Sequence, residues 1–156
     1  MLSKEILILN LEEVRRRSLL VWCEIPSDRL DWAPDADAMS CITLVRHVVE
    51  GEFLYTEMLK SRRSVDDNIS PFRGSPLTTI EHEIESAARH RAELLRLIRS
   101  LTPEMLETVQ IDRTDQGYIR SMEDFILRIA YHEAVHTGQL LSYLRMMGVP
   151  RPQIWD

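Results

Sequence analysis

At 156 residues the chain fits one domain and is long enough to bury a core without disulfide or metal staples. It is 44% hydrophobic and 28% charged, as an ordinary globular protein is. A net charge of -6 argues against nucleic acid, which requires a basic face, and no apolar run approaches the roughly 18 residues that cross a membrane. The N-terminus lacks the apolar core of a signal peptide, so the expected location is cytoplasmic. Cys23 and Cys41 make no disulfide framework, and a reducing compartment keeps both as thiols.

Helical periodicity dominates, and turn residues divide it. The first segment, from about Ser3 to Glu24, places Leu7, Leu11, Val14, Ser18 and Val21 on one face. Its basic run Arg15-Arg16-Arg17 reads as solvated surface, and Cys23, after Trp22, as a packing residue. Pro26-Ser27-Asp28 ends the helix, and Pro34 keeps 30–35 a loop. Ser40 is an N-cap for a second helix running to about Lys60, with Leu44, His47, Gly51, Leu54 and Met58 inward. Cys41 sits where a helix N-terminus can lower a thiol pKa, although a structural role is the preferred reading. Residues 61–77, rich in Ser, Asp, Asn, Pro and Gly, form a long mobile or crossover loop.

Thr78 with Glu81 makes a capping box for the third helix, whose inner side carries Ile80, Ile84, Ala87, Arg91, Leu94, Ile98 and Leu101. Thr102-Pro103-Glu104 starts a short helix through about Leu106. Residues 109–120 show no helical period and read as a loop or a short extended excursion. Ser121 caps the last helix, which runs to about Met147 with Phe125, Ile129, His132, His136, Leu140, Tyr143 and Met147 inward. Gly148 and Pro150 stop it, and Trp155 in the tail is expected to pack on the bundle. The fold expected is all-α: one domain over residues 1–156, a four-helix up-down bundle with a long loop after helix 2 and a short extra helix before helix 4.

The histidines differ in kind. His132 and His136 stand four apart on an apolar helical face, so both imidazoles project the same way, and His47 lies on the inward stripe of helix 2. An unpaired imidazole in a core costs about 1–3 kcal/mol, which a shared cation removes. Three neutral imidazoles leave a divalent ion with an open position, the arrangement of catalytic sites, and both zinc and nickel suit nitrogen donors. The alternative is three core histidines each satisfied by backbone. His82 and His90 read as surface residues.

Taken literally, His132-Glu133-Ala134-Val135-His136 is H-E-x-x-H, the helix of zinc peptidases with Glu as general base. The context opposes that reading: no histidine follows to supply the third ligand, and no strand-rich segment precedes the helix to hold a peptide. Glu133 stands about 100° round the helix from His132, which leaves its role open, while Gln139 lies near the ligand face. Arg73, Arg113 and Arg120 lie at the rim of the expected site, where anion binding competes with simple solvation of the loops.

Leu30-x-Trp32-x-Pro34 leading into Ser40-Cys41-Ile42-Thr43-Leu44-Val45-Arg46-His47, together with His132-x-x-x-His136-Thr137-Gly138-Gln139-Leu140, resembles the DinB/YfiT-like superfamily of metal-binding four-helix bundles over nearly the whole length. The resemblance implies metal ligands His47, His132 and His136 near one end of the bundle, and commonly a homodimer. It also implies a loose reaction class, in which the metal activates a low-molecular-weight thiol for transfer to a small-molecule substrate. Two alternatives stand beside this: a metal-dependent hydrolase that activates water, in which Glu133 or Gln139 assists, and a non-catalytic metal-binding bundle.

Overall fold

A computed structural model describes residues 3–155. Helices α1 (Lys4–Trp22), α2 (Cys41–Ser61), α3 (Ile80–Ser100) and α5 (Met122–Met146) form the bundle. The short α4 (Pro103–Thr108) and a two-stranded hairpin, β1 (Gln110–Arg113) and β2 (Tyr118–Ser121), sit between α3 and α5. Each helix starts on a hydroxyl cap: Ser3, Ser40, Thr79, Thr102 and Ser121 accept from the backbone N–H three residues on. Each cap contributes about 1 kcal/mol by satisfying a donor that the helix leaves free. The third helix is capped by Thr79, one residue later than Thr78, because the Thr79 hydroxyl is the one that reaches the His82 amide.

Residues 110–121 resolve the ambiguity of their sequence as a hairpin, Gln110 pairing with Ser121 and Arg113 with Tyr118. Gly117 ends its turn at φ 83°, a left-handed conformation that glycine adopts without a Cβ clash. Ile111, fully buried, plugs the strand into the core beneath α5, and the other strand positions face outward or sit at the margin.

The four-helix bundle is as expected, and the contacts refine the directions of its helices. Going round it the order is α1, α5, α2, α3, so α1 and α2 stand across the diagonal. Arg15 meets Glu133 and Ser18 meets Thr137, so α1 and α5 run parallel. Arg46 meets Glu83 and Lys60 meets Glu93, so α2 and α3 are parallel as well. Tyr55 against Phe125 and His47 against His136 make α2 and α5 antiparallel. The directions are therefore up, down, down, up, and the 61–79 connection is a crossover that carries the chain back along the bundle. It is pinned at both ends, by an Arg63–Asp112 bridge near the hairpin and by the Arg46 guanidinium on the carbonyls of Phe72, Ser75 and Pro76.

Apolar side chains fill two clusters, one around Trp22, Val45, Ile80, Leu140 and Leu144, the other around Leu11, Leu94, Ile98, Ile111 and Phe125. Each such side chain, fully buried, contributes roughly 1.5–3 kcal/mol. A polar layer at mid-height separates them. Arg15 donates to both oxygens of Glu133, at 2.7 and 3.0 Å, and to Glu52 at 3.2 Å. Arg91 closes the set, bonding Glu52 and, at 2.7 Å, the Leu11 carbonyl. One charged residue from each long helix is thus tied into a single network.

Several positions differ from the sequence reading. Arg15 is not solvated surface; its side chain is 13% exposed, and burial, which works against its charge, is outweighed by Glu52 and Glu133, so its pKa is raised. Cys23 is exposed, one step past the buried face that ends at Trp22. Cys41 is buried, and burial pushes its thiol up to about 11 despite the helix start. Trp155 is 82% exposed, and Ile154 is the tail residue that packs inward. His90 is buried between the Phe53 and Phe72 rings, accepting from the Arg89 Nε, whereas His82 is exposed as expected. No helix among the described residues is long and apolar enough to cross a membrane.

Candidate metal centre

Two stripes face each other across the groove between α2 and α5. On α2 these are His47, Gly51 and Tyr55, spaced one turn apart; on α5 they are Arg128, His132 and His136, spaced likewise. The imidazoles of His47, His132 and His136 turn their Nε2 atoms toward one point. His132 Nε2 stands 3.0 Å from His47 Nε2 and 3.1 Å from His136 Nε2. The ring centroids lie 4.5–4.9 Å apart, all steeply inclined to one another. All three sequence-predicted ligands therefore meet, midway along α5 and not at an end of the bundle.

The donor set fits a divalent ion. Bonds of about 2.1 Å to one centre place neighbouring nitrogens roughly 3.0–3.4 Å apart for ligand angles near 90–109°. Burial, and then the neighbouring His136 and His47, lower the His132 pKa to about 4; burial and His136 also lower that of His47. Both are accordingly neutral lone-pair donors at neutral pH. The Nδ1 of His136 lies 2.6 Å from the Gln139 Oε1, and the amide oxygen can only accept, which puts the proton on Nδ1 and leaves Nε2 free to ligate. Among the described residues no other His, Cys, Asp or Glu joins these three, so an ion held by them keeps open positions.

Gly51 gives the His132 ring its space. A Cβ at this position would lie 3.1 Å from His132 Cε1, tighter than ordinary contact. The Tyr55 ring, one turn on, stands 5.6 Å from both His132 and Phe125 and lines the groove toward the hairpin.

Glu133 belongs to a different surface. It is 2% exposed, and both its oxygens accept from Arg15 on α1. The 100° step from His132 takes it off the metal groove and into the polar layer. Gly51 lies on the inward stripe read from the sequence; the residues that sequence reasoning missed are Tyr55 as lining of the groove, and Arg15 and Glu52 as partners of Glu133. Tyr55 carried a signal, standing eight residues after His47. Arg15 carried none, since its partners are remote in sequence. A cavity of about 500 Å³ beside Arg46, Phe72, His82 and Arg89 includes none of His47, His132 and His136.

Comparison with known proteins agrees with this fold. A relative in Bacillus subtilis (strain 168), the uncharacterized protein YjoA, is 27% identical over 126 residues, covering 80% of this chain and 78% of its own. The crystal structure of that DinB-like protein superposes with a TM-score of 0.69 over 96% of both chains, at 23% identity. YfiT from Bacillus subtilis, described as a "probable metal-dependent hydrolase with an unusual four-helix bundle topology", superposes with a TM-score of 0.73 at 18% identity, over 96% of this chain and 92% of its own. The family model of the DinB superfamily matches residues 10–140, a span that takes in all three histidines. The chain belongs to the DinB superfamily.

Proposed function

We propose that this protein is a metal-dependent transferase acting through a low-molecular-weight thiol on a small-molecule substrate, with His47, His132 and His136 holding zinc or nickel. One observation carries the reading: three Nε2 atoms converge on one point while the nearest carboxylate in sequence, Glu133, is fully engaged by Arg15. A divalent ion there supplies Lewis-acid activation of a nucleophile, with no general base required of the protein. A thiol starts from a pKa near 8.5 and needs little help to ionise at neutral pH, whereas water is a far weaker acid. The protein's own work is to hold three neutral imidazoles in register, to fix the His136 tautomer through Gln139, and to wall the groove with Tyr55.

Titration of the cobalt-substituted protein with a panel of small thiols tests this. Sulfur-to-cobalt absorption growing to saturation with at least one thiol is the expected result; an unchanged spectrum with all of them would contradict it. Hydrolysis is the second reading, favoured by the same open three-His site and by the description of YfiT as a probable metal-dependent hydrolase. Turnover of ester, amide or phosphoester substrates by the metallated protein, abolished in His132→Ala, would establish it in place of the thiol reaction.

A further inference from the structure

The groove that holds the histidines continues toward the hairpin and changes character there. Arg128 lies one turn before His132 on the same stripe of α5, and Tyr55 faces this level from α2. The hairpin brings Tyr118 alongside, with the Arg113, Arg120 and Arg128 guanidinium carbons 5.6, 5.0 and 5.7 Å from its ring centroid. One turn of α5, from His132 to Arg128, links the histidines to this cluster.

Three cations surround one ring, and two acids stand near them, Asp115 toward Arg113 and Asp124 toward the other two. Asp124 bonds Arg120 at 2.7 Å and stands 3.6 Å from Arg128. Arg113 instead bonds two neutral oxygens, Ser64 Oγ and Tyr118 Oη, both at 3.1 Å. The Nε atoms of Arg120 and Arg128 are buried without a hydrogen-bond partner. A chain whose net charge is -6 has thus gathered three arginines beside its histidine centre. Guanidinium groups recognise planar carboxylates and phosphates through paired N–H donors.

We propose that the small molecule presented to the histidine centre carries an anionic group, a carboxylate or a phosphate, that is bound by Arg113 and Arg128 beside Tyr118. The inference rests on the thiol reading above and adds a substrate class to it. One to two helical turns, roughly 5–11 Å, separate the two ends of the groove, within the reach of one small extended molecule.

A matched pair of probes tests it: mercaptohexanoate and mercaptohexanol, equal in length and ending in a carboxylate or a hydroxyl. Each is titrated into the cobalt-loaded protein at low ionic strength, and its Kd is read from the visible spectrum. The carboxylate is expected to bind at least about tenfold more tightly. That advantage should shrink to about twofold in Arg113→Gln/Arg128→Gln, while mercaptohexanol binds wild type and variant alike. The wild-type comparison stands without the variant, and Arg113→Gln alone, with its cobalt spectrum retained, gives a milder test of the same loss. Equal affinities in wild type, or an advantage that persists in the double variant, would overturn this inference alone. Silence of the spectrum toward both thiols would overturn the thiol reading and this inference together.

Discussion

Two polar groups share the middle of the bundle and use neighbouring residues to opposite ends. Glu133 follows His132 in sequence, and Glu52 follows Gly51. The carboxylates turn inward to Arg15 and Arg91, forming a network in which opposite charges from four helices meet one another. The imidazoles turn into the α2–α5 groove, where their Nε2 atoms face one another. One set is closed and holds the helices together; the other is open, and its lone pairs face a common point. A single residue step, 100° on a helix, separates structure from chemistry here.

The contrast can be broken most strongly on the closed side. Glu133→Ala leaves Arg15 buried with half its partners gone and should destabilise the fold by about 3–5 kcal/mol, read from denaturant unfolding. The paired change Arg15→Met/Glu133→Leu, which removes both charges, should recover most of that loss. If Glu133 served instead as a base in the metal groove, Glu133→Ala would leave stability nearly unchanged.

That the H-E-x-x-H spacing is present, yet its Glu133 is bound to Arg15 on another face of the helix, shows what was legible. Periodicity places His132 and His136 on one inward face, and His47 on the inward stripe of its helix, because side-chain direction along a helix follows from sequence spacing alone. The caps at Ser40 and Ser121 were equally plain, since hydroxyl capping is a local interaction. What depends on partners remote in sequence was not legible. Arg15 looked like one member of a basic surface run, and only the packing of α1 against α5 brings Glu133 to it. The up-down-down-up order was hidden for the same reason: a long polar connection shows that the chain travels, not where it goes. Trp155 is exposed, against expectation, and Ile154 packs inward, because a tail without periodicity gives no face to read.

On the open side the expected effects are smaller and fall on metal affinity. Gln139→Leu removes the acceptor that sets the His136 tautomer, and should weaken zinc binding roughly tenfold, measured by competition with a chromophoric chelator, with unfolding nearly unchanged. Gly51→Ala separates the two quantities further. Alanine favours the helix by roughly 0.5–1 kcal/mol over glycine, yet its methyl group would crowd His132. The metal-free protein is expected to be as stable as wild type or slightly more so, with zinc affinity reduced a few-fold. Unchanged affinity would mean that the His132 ring yields without cost to the site.

The central claim, that the three imidazoles form one open metal centre independent of Glu133, is tested most directly by metal analysis of protein expressed without a polyhistidine tag. The prediction is about one zinc or nickel ion per chain in wild type, retained in the folded Arg15→Met/Glu133→Leu variant and lost in His132→Ala. Metal absent from the wild-type protein after growth with zinc and nickel, or retained stoichiometrically in His132→Ala, would contradict it.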